Sequence, residues 1–548
     1  MTELNLAHLH EAIAAAIPDR ECIVHAGRSL TYGQVTDRTR RLARYLRSRG
    51  LGVHRERAEL SNWESGQDHV ALYMWNCPEY LEAMLGSFKT RAVPFNVNYR
   101  YVEEELRYLM DDAGARAVVY HARVAPMVAR LREHRPQLQV LIQVPDDSGE
   151  PLLPGAVCYD DALDAGGEGP VDATPDPDDL YILYTGGTTG MPKGVLWRQA
   201  DVYMAALGGR NRRGEETPSL ATAVARAERG GPRTLPPPPM MHGAAHWVAF
   251  HTFHAGGTVV IQDRVDHFDP RDVLQVAARE DVQGLLLVGD AFGRPLLEEL
   301  RRGNHHLPCL KAITNSGAPL SADVKRGLME RLPGVMIVDA IGSSESGQQG
   351  VNVSADGEAQ TGRFALSPSA RVISEDMTRV LSAGEGEGDA ELGWLAQQGR
   401  VPLGYLGDPD KTARTFPVID GVRYSVPGDR ARLAADGQVE VLGRDSVTIN
   451  SGGEKIFAEE VEAALKRHPD VYDVLVAGRR SERWGQEVCA VVQLRTGAEP
   501  EPDALIREAK KHLAGFKLPK AIIFREHIQR SPSGKPDYRW AQAQVREG

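Results

Sequence analysis

Between Leu180 and Gly194 an apolar, strand-like run passes at once into the loop YTGGTTGMPKG, Tyr184 to Gly194. The glycines at 186, 187, 190 and 194 let the backbone approach an anion closely and take up φ > 0. Consecutive N–H groups then point at phosphate oxygens. Thr185, Thr188 and Thr189 add hydroxyl donors or metal contacts, and Lys193 adds a cation. A Walker loop is excluded, because Lys193 follows Pro192 and precedes Gly194. A flexible turn after a strand accounts for the glycines alone and not for the whole string. A chain with this segment handles phosphate beyond the end of a strand.

The surrounding pattern supplies the sheet. Thr258–Gln262, Leu285–Val288, Leu310–Thr314 and Val335–Asp339 are short aliphatic or β-branched runs. Helical stretches at Pro270–Glu280 and Ala322–Leu332 lie between them, and Val102–Ala113 reads as an amphipathic helix before a strand at Ala117–Tyr120. This alternation predicts an α/β fold, with ligands beyond the carboxyl ends of strands. Asp146–Asp178, rich in Gly, Pro and Asp, reads as a connecting loop, and Gly384–Gly388 as a solvated turn. After about Arg444 strands at Val471–Val476 and Val488–Leu494 accompany a helix at Phe457–Arg467, the pattern of a separate α+β domain. No internal repeat is present.

At 548 residues the chain is too long for one core. Its formal net charge of −11 argues against a nucleic-acid partner, which needs a basic face. The scattered, odd set Cys22, Cys77, Cys158, Cys309 and Cys489 contains no C-x-x-C pair and fits a reducing cytoplasm. The first twenty residues lack a basic start, a long apolar stretch and a cleavage site, so no signal peptide is expected. No apolar run reaches the length of a membrane span. Peripheral membrane contact and a homodimer both stay open.

With the loop and its context in view, the sequence resembles the adenylate-forming superfamily: acyl-CoA synthetases, amino-acid adenylation domains and firefly luciferase. Thr185–Gly194 matches the family loop throughout, and further resemblance runs from Thr31-Tyr32 to Pro532-Ser533-Gly534-Lys535, in the family's order. That resemblance implies ATP, Mg²⁺ and coenzyme A as cofactors, and a large N-terminal domain of several subdomains, 1–446. A small mobile α+β domain, 447–548, would carry the catalytic lysine. Ser316-Gly317-Ala318 would lie beside adenine, as would Ile341-Gly342-Ser343-Ser344, where Ile341 replaces the usual stacking aromatic. That aromatic contact supplies about 1 kcal/mol beyond area burial. Glu345 and Thr185 would hold the metal, Asp429 the ribose hydroxyls, and Arg444 ribose or phosphate. Lys535 would contact the carboxylate and α-phosphate in the transition state. Gly452 and Gly453 would line the pantetheine tunnel, and His242 the acyl pocket. Val447 stands where the family hinge is Asp or Lys, and Asp445 is offset from that position.

The amine-binding Asp of amino-acid activating relatives has no counterpart after Met241, where His242 stands. A hydrophobic acid is therefore expected. Leu183–Trp197, Ile341–Gly347, Ile449–Lys455 and Arg530–Trp540 look most like actinobacterial fatty-acyl-CoA synthetases, including those acting on steroid side-chain acids. The stretch Gly208–Arg233 is a candidate for shaping a large pocket. Two other readings stand beside this one: an acyl-AMP ligase that loads a carrier protein, and a catalytically silent acyl- or nucleotide-binding protein. Metal sites at His251/His254 or at His305, His306 and Cys309 lack a complementary ligand set, so packing or surface roles are expected there.

Overall fold

The computed structural model describes residues 3–185, 191–211, 214–303, 305–383, 391–451, 454–481, 484–531 and 534–547. Leu180–Thr185 is apolar along most of its length and buried up to Tyr184. It pairs antiparallel with Lys193–Arg198, whose far edge takes Gly404–Tyr405. Thr185 and Lys193 face each other at the mouth of the loop between them.

Two parallel sheets flank this unit. One runs in the order Val93–Asn96, His69–Tyr73, Ala115–His121, Val140–Val144 and Val157–Cys158. The other runs Glu21–His25, Thr258–Ile261, Arg233–Leu235, Gly284–Leu287, Ala312–Ser316 and Met336–Ser343. Their strands read as near-continuous apolar runs because crossover helices cover them. The second sheet then turns antiparallel through Gly347–Ser354 and Arg363–Leu366. Arg363–Leu366 pairs with Val439–Arg444, which pairs with Asp429–Leu433, which in turn pairs with Leu392–Gln398.

The C-terminal part has its own mixed sheet, in the order Glu454–Ile456, Ile449–Ser451, Gly485–Leu494 and Val471–Ser481, with Ala521–Phe524 on Gly485–Leu494. Its core gathers Ile449, Ile456, Val461, Leu465, Val474, Val488 and Val492. The fold is thus α/β, with a large N-terminal domain and a smaller α+β one.

Three expectations shift. The strand expected at Leu310–Thr314 forms at Ala312–Ser316, because its register follows the neighbouring Gly284–Leu287. The connection Asp146–Asp178 contains the strand Val157–Cys158 and the helix Tyr159–Gly166. Tyr159, Ala162 and Leu163 give that helix a buried face, too short a signal to read through the surrounding Gly, Pro and Asp. Within the stretch 208–233, Arg210 bridges antiparallel to Glu216, and the helix Leu220–Glu228 packs against the N-terminal helix Leu6–Ala16. Among the described residues no helix is long and apolar enough to cross a membrane. All five cysteines are free.

Candidate active site

Ala312–Ser316 and Met336–Ser343 are neighbouring parallel strands, and their carboxyl ends open onto one cleft. Gly317 turns the chain there with φ +85, a conformation an L side chain rarely takes. Asn315 fixes the turn. Its Oδ1 accepts from the Gly289 N–H at 2.7 Å, and its Nδ2 donates to Ala318 O at 3.1 Å and Asp339 Oδ1 at 2.8 Å. Gly317 and Gly342 are exposed to the cleft, and Ser316, Ala318, Ile341, Ser343 and Ser344 are half-buried around it. Ile341 packs against the neighbouring core of Val372, Leu395 and Val439.

Glu345 is held from three sides. The Tyr405 hydroxyl donates to its Oε1 at 2.8 Å, and the Ser425 hydroxyl to its backbone oxygen at 2.5 Å. Trp197 Nε1 donates to Ser344 O at 2.8 Å. Oε2 has no hydrogen-bond donor among the described residues. Asp429 and Arg444 oppose each other across antiparallel strands, with Arg444 Nε 3.2 Å from Asp429 Oδ1. Asp429 raises the Arg444 pKa, and the Arg444 side chain keeps 41% of its surface open.

Lys535 reaches this cleft from the C-terminal domain. Its Cε lies 3.5 Å from where a Cβ on Gly317 would stand. Gly534, with φ +76, lets the loop close; a Cβ there would come 2.8 Å from Val288 O. Burial among protein groups pushes the Lys535 ammonium below its usual pKa, and Arg444 adds to that, while Glu345 and Asp429 oppose it. The residue nevertheless keeps an exposed surface. A side chain ringed by protein yet open to solvent faces a cleft.

His242 stands on the other side. Burial, then the nearby charge of Lys535, holds its imidazole down to about 3, so it is neutral at neutral pH. Its Nε2 is buried without a partner among the described residues. Asn96 joins His242's segment to the phosphate-loop strand: Nδ2 donates to Tyr184 O at 2.8 Å and Met241 O at 2.7 Å, and Oδ1 accepts from the Tyr184 N–H at 2.8 Å. Beyond His242, Ala244, Trp247 and Val248 form a half-buried apolar stripe on the helix Gly243–His254. Trp247 Nε1 donates to the Tyr181 hydroxyl at 2.8 Å, and that hydroxyl bonds His246 Nε2.

Cations occupy the loop side of Glu345. Lys193 Nζ lies 3.6 Å from Asp112 and 3.8 Å from Asp408. Lys411 Nζ sits 4.0 Å from the centroid of the Tyr405 ring.

Residues 10–390 match the family described as AMP-binding enzyme, and residues 460–535 the AMP-binding enzyme C-terminal domain. The chain belongs to the AMP-binding enzymes. It is 52% identical to the medium-chain acyl-CoA ligase Mig of Mycobacterium avium, covering 100% of this chain and 99% of that protein. It is 39% identical to the 3-oxocholest-4-en-26-oate–CoA ligase of Rhodococcus rhodochrous, covering 99% of this chain and 96% of the relative. The crystal structure of the anthranilate CoA ligase AuaEII with anthranoyl-AMP shares the fold, with a TM-score of 0.82 at 19% identity, covering 100% of this chain and 98% of that one.

In this AMP-binding enzyme Lys535 lies near Gly317, Arg444, Glu345, Asp429 and His242; Ser316 and Ala318 flank Gly317, Ile341, Gly342, Ser343 and Ser344 precede Glu345 on the neighbouring strand, and Thr185 and Lys193 pair at the mouth of their loop. Gly186, Gly187, Thr188, Thr189, Gly190, Gly452 and Gly453 lie outside the described residues, as do Pro532, Ser533 and 384–388. At the expected hinge, Asp445–Val447 is a short helical turn; the Asp445 N–H donates to Gly428 O at 3.0 Å, and Val447 packs against the C-terminal core. His254 bonds Leu207 O at 2.7 Å and His305 bonds Glu299 at 3.2 Å, which are packing and surface contacts. Sequence reasoning missed Asn96, Asp112, Asn315, Tyr405 and Lys411. The one local signal for the last two was the Asp408-Pro409 helix start that follows Gly404-Tyr405.

Proposed function

We propose that this enzyme is an ATP-dependent acyl-CoA synthetase that converts a hydrophobic carboxylic acid, through the acyl-adenylate, to its CoA thioester. The observation that carries the reading is the meeting of Lys535, from the C-terminal domain, with Glu345 and Asp429 in one cleft. The domains run 1–446 and 447–548, with the turn Asp445–Val447 straddling the boundary.

A carboxylate oxygen of the acid attacks the α-phosphorus of ATP. The bond to the bridging oxygen breaks, and pyrophosphate leaves with the electron pair. Lys535 offsets charge at the α-phosphate. Asp429 accepts from the ribose hydroxyls, and Arg444 stands beside them. Ser316–Ala318 and Ile341–Ser344 border adenine, and the loop from Thr185 to Lys193 grips the phosphates. Glu345 and Thr185, whose oxygens suit a hard cation that takes few protein ligands beside substrate phosphates, would hold Mg²⁺, which would supply neutralising charge there. Neutral His242 adds no charge beside the acid, and its Nε2, without a partner among the described residues, is the atom that would meet the acyl group. Gly452 and Gly453 would line the pantetheine path after the C-terminal domain turns.

The acid's tail would lie along Ala244, Trp247 and Val248, which suits a medium or long fatty acid or a steroid side-chain acid. The naming of the two relatives above agrees with both classes. The reading needs no partner beyond the acid and CoA, and the free cysteines suit a cytoplasmic enzyme.

The test is a mass-spectrometric screen of acids with ATP, Mg²⁺ and CoA. Acyl-CoA and AMP should appear with hydrophobic acids. No acid-dependent pyrophosphate release with any acid class would refute the reading, and turnover of straight-chain acids with no binding of steroid carboxylates would remove the steroid option.

A further inference from the structure

Lys411 has no role in the reading above, yet its surroundings are unusual for a lysine. Its ammonium is half-buried and has no carboxylate within 4.0 Å among the described residues. It rests instead on the face of the Tyr405 ring, a contact that holds a cation without neutralising it. The hydroxyl of the same ring donates to Glu345 Oε1. Lys411 and Glu345 are therefore mounted on one rigid side chain, the cation on its face and the carboxylate at its tip.

The charges around the cleft divide at Glu345. Arg444, Glu345 and Asp429 act on Lys535. Glu345, Asp408, Lys193 and Arg414 act on Lys411, whose pKa is lowered chiefly by burial. Glu345 is common to both sets. One pair of cations, Lys535 and Arg444, lies against Gly317 and Asp429; of a second pair, Lys193 and Lys411, Lys193 stands opposite Thr185 at the mouth of the loop and 3.8 Å from Asp408, which caps the helix that carries Lys411. Lys193 is shared with Asp112 and Asp408; Lys411 is the less neutralised of the two. A triphosphate with its metal at Glu345 would run from the first pair toward the second.

From this placement we infer that Lys411 binds the β- and γ-phosphates of ATP and the pyrophosphate that leaves. The inference rests on the acid-activating reading. When the bond between the α-phosphorus and the bridging oxygen breaks, the electron pair stays with pyrophosphate, and the Lys411 ammonium offsets the charge gathered there. No proton transfer is needed.

The experiment titrates magnesium pyrophosphate, and separately AMP, into the full chain by calorimetry, with Lys411→Gln and Lys411→Arg variants. Loss of a charge-assisted contact should weaken pyrophosphate binding to Lys411→Gln by about tenfold or more. AMP binding should stay within about twofold, since the nucleoside side is untouched. Lys411→Arg keeps the charge and should retain most of the pyrophosphate affinity. The same Lys411→Gln chain should show a raised KM for ATP in acid-dependent pyrophosphate release.

Unchanged pyrophosphate affinity in Lys411→Gln overturns the inference. An equal loss of AMP and pyrophosphate binding also overturns it, because Lys411 would then only prop Tyr405 and Glu345. A wild-type chain that releases no pyrophosphate with any acid would instead overturn the acid-activating reading, and this inference with it. An active wild type beside an insensitive Lys411→Gln overturns the inference alone.

Discussion

Lys466, at the end of the C-terminal helix Ala458–Leu465, places its ammonium 3.3 Å from Asp290 Oδ2, at the start of the N-terminal domain's helix Asp290–Arg302. The contact belongs to a buried ionic chain. Asp290 also accepts from the Ser321 N–H at 2.8 Å and from its hydroxyl at 2.9 Å. Lys466 is 3.2 Å from Asp473, which accepts from Arg530 at 2.6 and 2.7 Å. Arg530 opens the loop that carries Lys535. The chain therefore ties the position of Lys535 to a fixed point in the other domain.

Breaking one partner of such a pair leaves an uncompensated charge. Burial disfavours the Asp290 carboxylate, but Lys466 and Arg294 more than offset it and keep its pKa low. Asp290→Asn should loosen the docking of Lys535 and slow the adenylation half-reaction by about tenfold or more. Thioester formation from supplied acyl-adenylate and CoA should change by less than about twofold, because that step uses the other domain arrangement. Comparing the two half-reaction rates checks this.

Tyr405→Phe removes the donor to Glu345 Oε1 and keeps the ring under Lys411. A hydrogen bond to a charged acceptor contributes about 1.5–3 kcal/mol, roughly ten- to a hundredfold in an equilibrium. The variant should need more Mg²⁺ for half-maximal pyrophosphate release, while AMP binding holds. A magnesium titration of the release rate reads this directly.

Glu459 lies against Gly443, where a Cβ would meet its Oε2 at 2.3 Å. Burial, then Glu462 and Asp429, push its pKa from the ordinary 4.5 up to about 8, against the pull of Arg444. The docked arrangement thus binds one more proton than an arrangement with Glu459 in water. Its stability is full below pH 4.5, declines as pH rises, and reaches its lowest level above about pH 8. Glu459→Gln cannot ionise. Its adenylation rate should be flatter than the wild type's between neutral pH and pH 9, and higher relative to it at the alkaline end.

The legible part of this site was the contiguous part. Thr185–Gly194 and Arg530–Lys535 each carry their motif in one run of residues, so the sequence alone picked out both segments. Glu345 and Asp429 gained meaning from their order between those ends. Tyr405 and Glu345 are 60 residues apart, and Asn96 and Tyr184 are 88 apart. Nothing local marks a tyrosine or asparagine that acts only through such a contact. The displaced strand Ala312–Ser316 makes the same point for the fold: an aliphatic run gives a strand's existence, and pairing with its neighbour sets its register. The helix Tyr159–Gly166 escaped notice because its apolar face spans a single turn.

In the proposed function, Lys535 completes an adenylating site built on Glu345 and Asp429. The most direct measurement compares wild type and Lys535→Ala in two half-reactions: acid-dependent ATP–pyrophosphate exchange, and thioester formation from supplied acyl-adenylate and CoA. Lys535→Ala should lose the exchange by about a hundredfold or more, keep nucleotide binding, and keep thioester formation. Equal loss of both half-reactions, or exchange that survives without Lys535, would contradict it.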